Sequence, residues 1–321
     1  MKPGNATAAK NIQNDISRMS SPNTDEVINR ILRQMGQLPT SLEVVCRLML
    51  MLRNPTQENE QVVQALFSDQ QLSVQLVRKL ETAEEAEVDA QGNRIQRQRS
   101  ESEVMEVLAA AVLEMGYTAI LRLVSALSVG KLLADEHKGY GIERRELWLH
   151  SVIVGLIAQR LAELLADTGR DSFDPSLAFI GGLMHDIGKV AISSELAERS
   201  DDVKTAALAT DANWNSIEMQ FCSVDHAMLG GRLTKEWKLP DEICDAIRFH
   251  HQPGQGPKLA SLIHVADYAS RYVGNPGGWS GYAITVDPSA LGVCKLKMED
   301  IQRVVLRLCQ DRESIESYAS M

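Results

Sequence analysis

Seven side chains in the second half of the chain are of types that hold transition metals: His150, His185, Asp186, His226, His250, His251 and Asp267. They include five of the seven histidines of the sequence and follow the order H…HD…H…HH…D. Apolar neighbours surround them, as in GGLMHDIGKV at 181–190. Imidazole and carboxylate are costly to bury without partners. Together they suit manganese, iron, nickel or zinc better than calcium. A shared carboxylate such as Asp186 can bridge two ions about 3.5–4 Å apart. One reading is therefore a centre for one or two divalent metals. The other is a metal-free network in which neutral histidines satisfy carboxylates and lock helices together. A His-Asp dipeptide alone decides nothing, and the ordered set carries the argument.

The elements that must position these residues read as helices throughout, so the chain is expected to be all-α. Thr40-Ser-Leu-Glu43 forms a capping-box pattern before VVCRLMLML, and Asn54-Pro55 ends that helix. Val62, Val63, Leu66 and Phe67 recur at helical spacing, as do Leu72, Leu76, Val77 and Leu80. Residues 81–103 interrupt the pattern with an acidic run followed by arginines and read as a solvated insert. Helical periodicity resumes at VMEVLAAAVLEM, with Gly116 as its stop.

In the second half, ERRELWLHSVIVGLIAQRLAELLA predicts a long helix carrying His150. Asp174-Pro175 opens another, which is expected to stop at Gly188 with His185 and Asp186 in its last turn. There the negative end of the helix dipole favours a cation. Ser223-Val-Asp225 opens a helix with His226 in its first turn. Leu239-Pro240 opens the next, ending in His250-His251, and Asp267 lies inside a helix at 259–272. MEDIQRVVLRLCQDRESIESY predicts one final surface helix.

Composition narrows the function classes. Apolar residues are 44% and charged residues 24%, ordinary for a globular protein. The net charge of −10 argues against nucleic-acid binding, although a bound divalent metal can still create a local site for a small phosphate ligand. The five cysteines are scattered, without a C-x-x-C pair, which disfavours a disulfide framework or a structural zinc site. Runs such as SVIVGLIA fall short of a membrane span, and the N-terminus lacks a signal-peptide core, so a cytoplasmic, non-membrane protein is expected.

The ordered His/Asp set resembles the HD-domain metal-dependent phosphohydrolases and, in its longer form, the dinuclear HD-GYP phosphodiesterases. That resemblance implies one metal held by His150, His185, Asp186 and Asp267. It implies a second held by Asp186, His226, His250 and His251. Asp186 and Lys189 would then be the catalytic residues, Asp186 by bridging and Lys189 by contacting a substrate phosphate or the attacking water. After His250-His251 the chain reads QPGQGPK, without the Gly-Tyr-Pro signature.

The chain from residue 28 onward resembles the HDOD family, the HD-related output domain of bacterial signalling proteins, more closely still. The segments that carry this include LPTSLEVVCRLMLMLRNP (38–55), LAFIGGLMHDIGKVAI (177–192) and SVDHAMLGGRLTKEWKLPDEICDAIRFHHQP (223–253). The polar, aperiodic start reads as a mobile arm at 1–27, and the resemblance implies an N-terminal helical subdomain at 28–135, interrupted by the 81–103 insert, and an HD-like subdomain at 136–321. It implies a signal-transduction module acting through protein partners, with a homodimer as one arrangement. The HD-type alternative is a phosphohydrolase with a nucleotide or cyclic-nucleotide ligand. Members of the family often have an incomplete HD site, whereas this sequence keeps every candidate ligand.

Overall fold

Alternating apolar stripes and helix caps set the architecture. The computed structural model describes residues 24–35, 40–52, 58–80, 99–207, 214–274, 278 and 285–319. Within them the regular structure is helical, and the only β pairing among the described residues is an isolated bridge between His137 and Ile142. The expected arm lies outside the described residues up to position 23, as does the insert from 81 to 98.

The N-terminal half comprises α1 (Thr24–Met35), α2 (Thr40–Leu52), α3 (Asn59–Phe67), α4 (Gln70–Leu80), α5 (Glu101–Met115) and α6 (Tyr117–Leu133). Thr40 is the first residue of α2, and its hydroxyl donates to Asp69 Oδ2 at 2.7 Å. α5 begins inside the stretch expected as an insert, because Ser100 and Glu103 close a capping box there. Gly116, at φ 77°, turns the chain directly from α5 into α6.

A connector with a 3-10 turn at Lys138–Tyr140 leads into α7 (Glu146–Asp167), the central helix of the second half. Around it lie α8 (Pro175–Met184), α9 (Ile187–Ala197), α10 (Ser200–Ala207), α11 (Trp214–Cys222), α12 (His226–Glu236), α13 (Asp241–Phe249) and α14 (Lys258–Ser270). α15 (Pro288–Cys294), α16 (Met298–Gln310) and α17 (Arg312–Ala319) complete the chain. The single final helix expected from the sequence is thus two, divided at Asp311. Four cysteines are buried, and Cys309 is exposed.

By length and composition α7 could cross a membrane, but 67% of its apolar window is buried inside the fold. It is a core helix that packs on α8 and α14. Glycine permits the closest approach: a Cβ on Gly182 would lie 2.8 Å from the Gly155 Cα. One apolar core runs from Val27 and Ile31 of α1 to Leu308 of α16, and α1 packs on α9 and α12.

Candidate metal centre

Five helical elements bring the seven residues together. His150 projects from the first half of α7, where the residues from Leu147 to Ala158 are almost all buried. Asp174 caps α8 by accepting from the amides of Ser176 and Leu177, and Pro175 presets the first helical φ. α8 ends at Met184, earlier than expected, and α9 begins at Ile187. His185 and Asp186 therefore occupy a kink between two helices, and Gly188 lies inside the second. A Cβ on Gly188 would fall on the His226 carbonyl oxygen and within 2.8 Å of Gly230 N. Glycine is needed at 188 to let α9 and α12 meet, and it does not end a helix. Asp225 accepts from Met228 N to cap α12, leaving His226 in its first turn. His250 is the C-cap of α13, with His251 following, and Asp267 sits in α14.

The metal-binding atoms converge in three overlapping groups whose donors lie within 4.8 Å of one another: His150–His185–Asp267, His185–Asp186–His250, and His226–His250–His251. The first group holds three of the four residues expected for one ion, the last holds three of the four expected for the other, and the middle group draws on both sets. Asp186 stands between them, with Oδ2 3.5 Å from His150 Nε2 and 3.3 Å from His185 Nε2, and Oδ1 3.2 Å from His226 Nε2. His150 Nε2 and His185 Nε2 face each other at 3.3 Å, as do His226 Nε2 and His251 Nε2 at 3.0 Å. All seven are buried except His251, which is half-buried.

The donor chemistry fits divalent ions. His185 Nδ1 donates to the Gly182 carbonyl at 2.7 Å, and His250 Nδ1 donates to the Ile247 carbonyl at 2.6 Å. A carbonyl can only accept, so each Nδ1 carries the hydrogen and each Nε2 keeps its lone pair for an ion. Among the described residues, two buried atoms of the cluster, His250 Nε2 and Asp267 Oδ1, have no hydrogen-bond partner. Buried polar groups are normally satisfied, and an ion at each of the two candidate positions would satisfy one of these atoms. His150, His185, Asp186 and Asp267 would hold one ion, and Asp186, His226, His250 and His251 a second.

Electrostatics divide the cluster. Burial and the neighbouring His251 and His185 hold His250 well below its ordinary value, and burial beside His226 lowers His251 to about 3. Burial alone would lower His226, but Glu218 and Asp186 outweigh it and raise it to about 10. Asp186 lies well below the carboxylate range because His185 and Lys189 overcome its desolvation.

Lys189 lies in the first turn of α9 and is buried. Its Nζ donates to Asp186 Oδ2 at 2.6 Å and lies 5.5 Å from the centre of the Tyr140 ring. Glu218 is a partner that sequence reasoning missed. It is wholly buried in α11 and accepts from His226 Nδ1 at 2.7–2.8 Å. Its only signal was a lone carboxylate between Ile217 and Met219, in a segment with no motif. Outside the cluster, His264 bridges α13 and α15: Nδ1 donates to the His250 carbonyl, and Nε2 accepts from Asp287 N.

Comparison with known proteins follows the same lines. Residues 97–253 match the HDOD domain model. The fold is shared with a candidate phosphohydrolase from Shewanella amazonensis SB2B, with a TM-score of 0.62 and 19% identity over 92% of this chain and 97% of that one. It is also shared with a candidate signal transduction protein from Marinobacter aquaeolei VT8, with a TM-score of 0.67 and 20% identity over 97% of this chain and 65% of that one. An uncharacterized protein of Treponema pallidum (strain Nichols) is 26% identical over 174 residues, 52% of this chain. The chain spans about a third (32%) of that relative's length. The matched segment contains the converging histidines from His150 to His251, so it is this segment, residues 97–253, that is similar to the HDOD domain family.

Proposed function

We propose that the chain is a cytoplasmic bacterial signal-transduction module whose HDOD domain holds one or two divalent metals. Its output is contact with another signalling protein or with a second copy of itself. The observation that carries this reading is the enclosure of the centre. Six of the seven candidate ligands are no more than 2% exposed, and Lys189 commits its ammonium to Asp186. A centre so enclosed ties α7, the α8–α9 kink, α12, α13 and α14 into one arrangement. That suits a binding-dependent structural state better than rapid exchange of a bulky substrate.

A second reading is a metal-dependent phosphohydrolase acting on a nucleotide or cyclic nucleotide. It is favoured by the two three-donor groups on either side of Asp186 and by the half-buried His251 at the edge of the cluster. Divalent ions, when bound, neutralise phosphate oxygens and acidify water. The chain's own part would be Asp186 placed between the two groups, with Lys189 leaving Asp186 to meet a phosphate. The deciding experiment screens the manganese- or iron-loaded protein against phosphodiesters, nucleotides and cyclic nucleotides, with Asp186→Ala as control. The module reading expects no turnover above the control, and turnover above it establishes the enzyme.

A further inference from the structure

We propose that Glu218 is a positioning residue of the metal centre, turning His226 so that its Nε2 faces the ions, and that Tyr140 holds Glu218 in place. The inference rests on the metal-binding reading above. Glu218 is 0% exposed, and a carboxylate so buried needs strong partners. It has them: His226 Nδ1 at 2.8 Å from Oε1 and 2.7 Å from Oε2, the His226 backbone N–H at 2.8 Å from Oε2, and the Tyr140 hydroxyl at 2.7 Å from Oε1. Both oxygens are engaged on the Nδ1 side of the ring. The opposite edge, Nε2, lies 3.2 Å from Asp186 Oδ1 and 3.0 Å from His251 Nε2. The ring thus separates Glu218 from any ion that Nε2 contacts, so Glu218 orients a ligand without being one.

The contact also sets this histidine apart. His185 and His250 are oriented by neutral carbonyls, whereas His226 is oriented by a carboxylate. A carboxylate partner fixes the tautomer and makes the imidazole a stronger donor to metal. Because Glu218 also accepts from the His226 amide, one side chain fixes both the entry to α12 and the turn of the ring. The His226–His250–His251 group is therefore the one whose affinity depends on Glu218. Tyr140 adds a link to the connector between the two halves of the chain: its hydroxyl reaches Glu218, and its ring lies beside Lys189, the partner of Asp186.

The test titrates the metal-stripped full-length protein with Co(II), following bound cobalt and the visible absorption bands that report its coordination. Wild type, Glu218→Gln and Tyr140→Phe are compared. Gln keeps the shape and a hydrogen-bond acceptor but loses the charge. Glu218→Gln is expected to weaken cobalt binding about 10–100-fold and to change the absorption bands. Tyr140→Phe should shift both in the same direction by less. Unchanged affinity and bands in Glu218→Gln, beside a wild type that binds cobalt, overturn the inference and leave the metal reading intact. A wild type that takes up no cobalt overturns both. If Glu218→Gln does not fold, Tyr140→Phe decides, and cobalt affinity and bands equal to wild type overturn the proposal.

Discussion

Lys189 Nζ donates to Asp186 Oδ2 across 2.6 Å, with both side chains almost sealed from solvent. The carboxylate between the two donor groups is thus neutralised from within the protein. Three imidazole Nε2 atoms, those of His150, His185 and His226, also approach it within 3.5 Å. The charge balance of the centre consequently depends on Lys189 as well as on the seven candidate ligands.

Replacing Lys189 with Met removes the ammonium but leaves the carboxylate buried. Breaking a buried ion pair at one side costs about 3 kcal/mol or more. Urea unfolding of the metal-stripped Lys189→Met protein should show a loss of that order. Added divalent metal should recover part of it, because an ion supplies the missing positive charge. Equal stability of variant and wild type without metal would show that the pair is incidental.

Metal-stripped protein should lose stability on both sides of neutrality. An unfolded histidine titrates near pH 6.5. His251, held at about 3 by burial and by His226, stays neutral in the fold while the unfolded chain takes up a proton. Its contribution is therefore lost as pH falls from about 6.5 toward 3. His226 behaves oppositely. Its folded value of about 10 makes its contribution complete below about pH 6.5 and lost as pH rises toward 10. Melting temperatures across this range check both limbs, with His251→Asn flattening the acid limb and Glu218→Gln the alkaline one. Limbs that neither variant changes would assign the titration to other groups.

Gly188→Ala should damage the fold and the centre together. The new Cβ would fall on the His226 carbonyl and crowd Gly230 N, both backbone atoms that cannot turn aside. A loss of about 3 kcal/mol is expected, as for severe overpacking, with reduced metal content because α12 must move away from Asp186. Gly254→Ala, whose Cβ would meet nothing within 4 Å, is the control and should melt like wild type. Thermal melting and metal analysis of the two variants check the contrast.

The candidate ligands could be read from the sequence because each sits at a helix end or on an apolar helix face, where local signals are strong. Asp174-Pro175 and Asp225 cap the helices that carry His185 and His226, and both caps appear in the structure. The kink at His185-Asp186 was not legible. Gly188 looks locally like a stop, and only its contact with His226 and Gly230, about forty residues away in sequence, explains it as a packing glycine. Lys189 has the same ambiguity: a charge after HDIG reads as solvated until the fold folds it back on Asp186. Glu218 carried no spacing signal, since its partners Tyr140 and His226 are joined to it only by tertiary structure.

The central claim is that these side chains form a metal centre, and metal content tests it most directly. Wild type, His185→Ala and Asp186→Ala would be purified without added metal and measured by elemental analysis, then again after incubation with manganese, iron, nickel or zinc and removal of the excess. His185 and Asp186 each belong to a converging donor group, and Asp186 faces both candidate ion positions. The account predicts one or two ions per chain in wild type and a marked loss in both variants. Near-zero metal in all three proteins under both conditions would contradict it, leaving the histidines and aspartates as a hydrogen-bonded lock between helices.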